Sequence, residues 1–496
     1  GLVKRIGVMF TDWLLFDRTQ NDLVVDTASM YGGLASRGGP ESADGQAAKA
    51  PARAIFVQGA EVNHFRYFRD STLTESLPLP QAMRRWLLEA APEKLSEWAP
   101  LPLAELPTVS LSRGVADERP KNLRPVVVYL PGIMGSELDA DGERVWLAWL
   151  HLINKGLGDI AVDGGKKVKP KDVIDLAYGK LKEHLKATHF VETFSYDWRA
   201  STQQLGDLLV RRLDQVLKEH PDQTVRILAH SMGGLVVRAA FATDDGKAIW
   251  KRIVERPGGR LVMLGTPNHG SHLMVQTLFG LSETIRLLAR IDRPDRMPDV
   301  LRIVGRFQGA IDLLPAPGFT DTGGYEGRRY YDAAEWERLA EVNDDFWFGK
   351  NLCGRPSQPA LNATSSFWQA IADTSWLDAS SRDRVSYVFG QSNATPCGVV
   401  EQRDAQGRTI GLLIVETPFG DGSVTWASGR LPAIPAENCW LMPADHMGLT
   451  NTPKFFGDID ALLEGGAPHL ERLPVTRGED ITDAPTSMRR AGPPPA

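Results

Sequence analysis

Ser231 sits at a junction between a strand pattern and a helix pattern, and that junction constrains the fold more than any other stretch of the chain. Val225-Arg226-Ile227-Leu228 reads as a short buried strand, and Leu235-Val236-Val237-Arg238-Ala239-Ala240 reads as a helix. Between them, Ala229-His230-Ser231-Met232-Gly233 places small residues two before and two after the serine. A strand that turns at once into a helix brings the two backbones nearly into contact, so those flanking positions have to be small. Ala229 stands where glycine is more usual, and one methyl is the smallest intrusion available. Such a turn lifts a serine hydroxyl above the C-terminal edge of a parallel sheet, where it can serve as a nucleophile. The alternative is a serine at an ordinary helix N-cap; the strand before it and the helix after it favour the turn.

A serine hydroxyl is a poor nucleophile at neutral pH and needs a base, which in turn needs an orienting acid. Candidates follow downstream in the order Ser, Asp, His. Gly411 to Glu416 has a strand pattern and leads into Phe419-Gly420-Asp421-Gly422-Ser423-Val424, a turn that would put the Asp421 carboxylate at the sheet's C-terminal edge. Pro443-Ala444-Asp445-His446-Met447-Gly448-Leu449 is a loop with a histidine ahead of a helix expected around Lys454 to Glu464. His446 would take the Ser231 proton and later return it to the leaving group, while Asp421 fixes the imidazole tautomer. Taken alone, Gly-Asp-Gly is more often a plain turn and a lone loop histidine mostly faces solvent. Order and context together argue for a triad of Ser231, Asp421 and His446. Asp445 is a rival acid, ranked second because a side chain rarely curls back onto the imidazole that follows it. His230 is read as a packing residue that the turn points away from the hydroxyl.

An oxyanion hole is also expected. Arg124 to Leu130 reads as a strand entering Pro131-Gly132-Ile133-Met134-Gly135-Ser136, a glycine-rich turn that would aim backbone N–H groups at the site. A tetrahedral intermediate needs such donors, each worth about 2.7–4 kcal/mol of barrier. The expected donors are the amides of Ile133 and Met232. A plain hairpin turn is the alternative.

These residues resemble a known family. Leu130-Pro131-Gly132-Ile133-Met134-Gly135-Ser136-Glu137-Leu138, Ser195-Tyr196-Asp197-Trp198-Arg199, Ala229 to Gly234, Leu264 to Ser271 and Gly420 to Val424 look like stretches of the lecithin:cholesterol acyltransferase-like α/β-hydrolases. The resemblance runs from about Asn122 to Pro474. It implies an acyl-ester substrate, commonly a phospholipid or other lipid, with hydrolysis or acyl transfer as the reaction. It also carries the family's roles onto Ser231, Asp421 and His446 and onto the amides of Ile133 and Met232. Animal members have cysteine pairs with no match here, which bears on membrane or lipoprotein substrates more than on the chemistry.

Composition bounds the rest. At 496 residues the chain exceeds one typical domain, so a large core with additions is expected. Hydrophobic content of 42% and charged content of 24% are those of a soluble globular protein. A net charge of −6 gives no electrostatic reason to expect nucleic acid as a partner. Cys353, Cys397 and Cys439 are too few and scattered for a disulfide framework or a zinc site, and the mechanism needs neither metal nor cofactor. No apolar run reaches the roughly 20 residues that span a bilayer, which leaves transient contact with a lipid surface as the expected membrane relation. No signal peptide is visible, yet the chain opens Gly1-Leu2 rather than with methionine, the mark of an excised chain, so native targeting stays open.

Strand patterns at Phe190 to Trp198, Thr224 to His230, Gly259 to Thr266, Arg384 to Gln391 and Gly411 to Glu416 alternate with helices such as Thr202 to Lys218. That alternation predicts an α/β-hydrolase fold over residues 121–474, a mostly parallel sheet with helices on both faces. Two stretches break it, at about 140–175 and 271–381, and are read as cap segments over the serine. Their bulky residues, Phe279, Trp336 and Trp368 among them, would line an acyl pocket or pack the cap's own core. Residues 1–120 form an accessory region with a flexible Gly/Ala/Ser-rich loop at 31–52. Asp22 and His64 there resemble the acid and base end of another hydrolase, but no serine turn precedes them, so they carry no role. Residues 475–496 are proline-rich and expected to be disordered. Three functions follow: a serine esterase or lipase, an acyltransferase using the same triad, or an inactive module that binds lipid or protein. Four intact catalytic features argue against the third.

Overall fold

The computed structural model describes residues 124–146, 157–291, 297–342, 354–473 and 487–490, with short strands at Arg53–Ala54, Thr72–Thr74, Leu77–Pro78 and Ala99–Pro100. The expected loop at 31–52, Asp22, His64, the helix around Gln81 to Ala90, residues 147–156 of the first cap segment, Phe346 to Phe348 of the second, and most of the tail lie outside the described residues. The chain divides into two units, Gly1–Arg113 and Gly114–Ala496. In the first, Arg53–Ala54 pairs antiparallel with Ala99–Pro100, and Thr72–Thr74 with Leu77–Pro78.

The second unit is built on a seven-stranded sheet in the spatial order Glu471–Arg472, Cys439–Leu441, Val385–Phe389, Arg260–Leu264, Val225–His230, Val126–Leu130, Phe190–Thr193. The six strands from Cys439–Leu441 to Phe190–Thr193 are parallel, and Glu471–Arg472 runs antiparallel at the edge. Its central strands are buried on both sides, which is why they read as continuous apolar runs rather than alternating ones. Alternation reappears in what each side chain touches. Val126, Val128, Ile227 and Met263 join one core cluster, and Val127, Tyr129, Leu228, Val262 and Leu264 join another on the opposite face.

Helices close both faces. Thr202–Glu219 is capped by the Ser201 hydroxyl, which accepts from Gln204 N–H, and it presents Leu205, Leu209, Leu213 and Val216 to the first face at helical spacing. Lys180–Leu185 and Phe456–Glu464 put Leu181, Leu185, Ile459, Leu462 and Leu463 on the second. Each such side chain contributes about 1.5–3 kcal/mol by leaving water. With parallel strands covered on both faces by helices, the unit has the α/β-hydrolase fold.

The winding reverses between two neighbours. From Val126–Leu130 the chain proceeds to the Phe190–Thr193 edge; from Val225–His230 it proceeds the other way, to Arg260–Leu264 and beyond. Connections that part in this way open a crevice at the strands' C-terminal ends. The turn at Pro131–Gly135 and Ser231 both leave the sheet there.

Two expectations need correction. Thr409–Thr417 does not join the parallel sheet: it pairs antiparallel with Thr395–Arg403 in a separate sheet, because a nine-residue strand with a partner just upstream closes a hairpin at Asp404–Arg408. Ser487–Arg490, within the stretch expected to be disordered, is the third strand of that sheet, against Leu413–Glu416. The segment after the Pro131 turn holds antiparallel strands at Ser136–Ala140, Glu143–Trp146 and Val168–Val173.

Backbone-to-backbone packing gives a test with two signs. A Cβ on Gly206 would stand 2.7 Å from Ala240 N and 2.8 Å from Ala239 C, so the helix Thr202–Glu219 lies directly on Met232–Phe241. Gly206→Ala is expected to destabilise by about 1–3 kcal/mol through overpacking, despite alanine's better helix propensity. Gly457→Ala, where nothing lies within 4 Å, is expected to stabilise by about 0.4–1 kcal/mol. Urea midpoints of the two variants check both signs.

Candidate active site

Ser231 joins the strand Val225–His230 to the helix Met232–Phe241 with φ 53° and ψ −126°. An L-residue seldom adopts that backbone, and here it is over-determined. Ser231 N–H donates to Leu264 O (2.9 Å), Ser231 O accepts from Gly234 N–H (3.0 Å), and every residue of the following helix is buried. The small residues after the serine have close neighbours, which belong to the ends of adjacent strands rather than to the serine's own strand. A Cβ on Gly233 would stand 2.6 Å from Pro131 O, and one on Gly234 2.0 Å from Thr266 Oγ1. Ser231 itself is 6% exposed.

His446 Nε2 lies 2.8 Å from Ser231 Oγ, and His446 Nδ1 lies 2.7 Å from Asp421 Oδ2. A carboxylate only accepts, so Nδ1 carries the proton of the neutral ring, whose bare Nε2 then faces the serine hydroxyl. The other carboxylate oxygen of Asp421 accepts from Ser423 N–H (2.9 Å) and Val424 N–H (2.7 Å), and its backbone O accepts from His446 N–H (2.8 Å). Asp421 is thereby locked in a turn of its own making. Burial pulls the His446 imidazole down, but the charge and hydrogen bond of Asp421, with Asp445 beyond, outweigh it and hold the group above its ordinary value. The rival acid is occupied elsewhere: Asp445 Oδ1 accepts from Gly448 N–H (2.8 Å) at the start of the turn Gly448–Asn451.

Asp421 reaches this position by a detour. The strand Val385–Phe389 ends at Gly390, where a Cβ would stand 2.7 Å from Asp421 Cβ. The chain then leaves through the hairpin of Thr395–Arg403 and Thr409–Thr417 and returns to the same spot. Ser392 N–H donates to Gly420 O (2.7 Å), and Gly422 N–H to Thr395 Oγ1 (2.9 Å), which pins the hairpin's two ends together. Gly265, with φ 55°, lies on the acid–base pair, since a Cβ there would be 2.9 Å from Asp421 Oδ2 and 3.1 Å from His446 Nδ1.

On the serine's other side is the turn after Val126–Leu130. A Cβ on Gly132 would stand 2.8 Å from Ser231 Cβ and 3.2 Å from its Oγ, so only glycine lets this backbone lie against the hydroxyl. Gly132 N–H donates to Tyr178 Oη (2.9 Å), which leaves the amide of Ile133 as the turn's next donor. Met232 opens its helix, and an N–H there has no intrahelical acceptor. A pair of such amides beside a serine and a histidine base can hold an oxyanion.

Several contributors were not among the candidate site residues. The Asp421 loop is clamped by the helical segment that begins at Ser271: Ser271 Oγ donates to Ser423 O, and Thr425 Oγ1 donates to Asp321 Oδ1 (2.6 Å). Asp321 Oδ2 in turn pairs with the buried His272 Nδ1 at 2.8 Å. Within that segment Phe279 stacks on Trp336 with centroids 4.9 Å apart, so these two rings serve the segment's own core. Among the described residues no group of three His, Cys, Asp or Glu could hold a metal ion, and no helix is long and apolar enough to cross a membrane.

Residues 184–292 match the model of the family described as lecithin:cholesterol acyltransferase. No curated protein matches significantly. Similar solved structures include a chain of the Tle4–Tli4 complex, 14% identical over 69% of this chain and 97% of that one, with a TM-score of 0.45. The mature Bacillus licheniformis lipase BlEst2 is also 14% identical, over 70% of this chain and 94% of that one, with a TM-score of 0.32.

The His446 titration offers a direct check on the electrostatics. Its NMR midpoint is expected above the ordinary value of 6.5, and Asp421→Asn, which removes the raising charge, should lower it. A midpoint indifferent to Asp421→Asn would contradict the assignment. With the sheet described above, the chain has the α/β-hydrolase fold, and its residues 184–292 are similar to the lecithin:cholesterol acyltransferases.

Proposed function

We propose that this protein cleaves carboxylic esters of lipid acyl chains through Ser231, His446 and Asp421. The observation that carries the reading is the continuous hydrogen-bond line from Ser231 Oγ through His446 to Asp421, at 2.8 and 2.7 Å. His446 Nε2 accepts the hydroxyl proton as Oγ attacks the ester carbonyl. The positive imidazolium that results is stabilised by Asp421, already bonded to Nδ1. The carbonyl oxygen, now negative, takes hydrogen bonds from the Ile133 and Met232 amides. Collapse of the intermediate breaks the ester C–O bond, and the alcohol leaves with the proton from His446 Nε2. Water then attacks the acyl-Ser231 ester, losing a proton to His446, which returns it to Ser231 Oγ as the acyl C–O bond breaks and the fatty acid departs. The family match is what points to acyl lipids rather than to esters in general.

That match favours a second reading as well, because the family's description is an acyltransferase. Up to the acyl-enzyme the steps are the same; an alcohol then replaces water. The helical segment from Ser271, read as a cap, would decide between them by admitting one acceptor or the other.

Turnover of p-nitrophenyl esters of increasing chain length tests the reading. Ser231→Ala is expected to lower kcat at least about 10³-fold with thermal stability retained. Asp421→Asn should cost on the order of 10³- to 10⁴-fold, and Asp445→Asn little. Equal damage from the two aspartate variants would overturn the choice of acid. An ester of an added long-chain alcohol, formed faster than free acid, would establish transfer.

A further inference from the structure

His230 and Tyr178 are buried polar side chains beside the nucleophile that the proposed chemistry does not use. Their hydrogen bonds form a line. Gly132 N–H meets Tyr178 Oη at 2.9 Å, Tyr178 Oη meets His230 Nδ1 at 3.0 Å, and His230 Nε2 meets the His446 backbone O at 2.9 Å. The last contact fixes all the others. A carbonyl oxygen can only accept, so His230 Nε2 carries the proton. Burial, with His446 nearby, pushes the His230 imidazole down to about 3, so the ring is neutral and its Nδ1 is bare. The single phenolic proton therefore goes to Nδ1, and the oxygen it leaves is free to accept from Gly132.

We propose that Tyr178 and His230 are positioning residues, whose hydrogen-bond chain ties the oxyanion turn at Gly132 to the backbone of the base, His446. The inference rests on the roles proposed above for Ser231 and His446. Gly132 N–H belongs to the peptide just before the one that carries the Ile133 N–H, so holding it anchors the turn from which that donor points. His446 is held at its N–H by Asp421 O and at its C=O by His230. One chain thus sets both the donor and the base against a serine that lies between them.

The segment carrying Tyr178 is built for this. Asp175–Gly179 is a single π-helical turn, a local departure that often re-aims a side chain at a working site. Ile174 N–H donates to Gly135 O (2.9 Å) on the oxyanion side, and Ala177 O accepts from Thr450 Oγ1 (3.1 Å) on the base side. A Cβ on Gly135 would stand 2.8 Å from the Tyr178 ring and from its hydroxyl, so this glycine admits the tyrosine to the turn. Tyr129 meets the Tyr178 ring edge-on at 5.8 Å, a contact that Tyr178→Phe retains.

The test uses the full chain and an ester substrate, with wild type, Ser231→Ala, Tyr178→Phe, His230→Asn and the double variant of the last two. Tyr178→Phe and His230→Asn are each expected to lower kcat about 10- to 100-fold with KM within about twofold. The rate of labelling by a fluorophosphonate should fall in step. The double variant should be no worse than the worse single one, since a chain broken once is already broken. In ¹⁵N-histidine spectra, wild-type His230 should show a protonated Nε2 and a bare, hydrogen-bonded Nδ1, and Tyr178→Phe should move only the Nδ1 resonance. Folded Tyr178→Phe with wild-type kcat and labelling rate overturns the proposal, as do effects confined to KM or multiplying in the double variant. Should the variants not fold, the wild-type spectrum decides alone: a proton on His230 Nδ1 overturns the proposal. Activity surviving in Ser231→Ala would instead sink the triad reading beneath it.

Discussion

One backbone conformation organises the active region: Ser231 at φ 53° and ψ −126°, between a strand and a helix with no residue to spare. Holding a non-glycine residue there costs about 1–3 kcal/mol. The surroundings offset that cost. Leu264 and Gly234 take the serine's backbone hydrogen bonds, and the apolar helix behind it is buried along its whole length. Glycines at 132, 233, 234 and 265 then let other chain segments approach to distances a side chain would forbid. The serine hydroxyl is therefore placed by packing of the sheet and helices rather than by any flexible contact of its own.

The reversal of winding beside Ser231 explains why the remaining groups converge on it. Val126–Leu130 delivers the Pro131–Gly135 turn from one side of the crevice, while Val385–Phe389 and Cys439–Leu441 deliver Asp421 and His446 from the other. The acid arrives through a hairpin excursion whose two ends are tied by Ser392, Gly420, Thr395 and Gly422. A long insertion is tolerated because its closure is fixed where it matters, at the sheet edge. The loop after Asp421 is also bonded to Ser271 and Asp321, which ties the segment from Ser271 to the turn that carries Asp421.

What the sequence made legible was local. Ser231 announced itself by apolar runs and small flanking residues, and the order Asp421 then His446 by loop motifs. Gly411 to Glu416 has a strand pattern and is a strand, but of the separate antiparallel sheet, since periodicity does not distinguish a hairpin strand from a core strand. Phe190 to Trp198 read as one strand, yet pairing stops at Thr193, and the Tyr196 N–H and Trp198 Nε1–H turn to Ser136 instead. Tyr178 had no signal at all, because its partners Gly132 and His230 lie 46 and 52 residues away. His230 was visible as a neighbour of the serine, but its bonds to Tyr178 and His446 depend on long-range packing.

The central claim is that Ser231, and no other residue, is the nucleophile. Its most direct test is incubation of the native protein with a phosphonate ester, followed by intact mass and peptide mapping. The account predicts one covalent adduct per chain, on the peptide containing Ser231, with ester turnover lost in proportion to labelling. An adduct on another residue, or a fully labelled Ser231 in a protein that still turns over its ester, would contradict it.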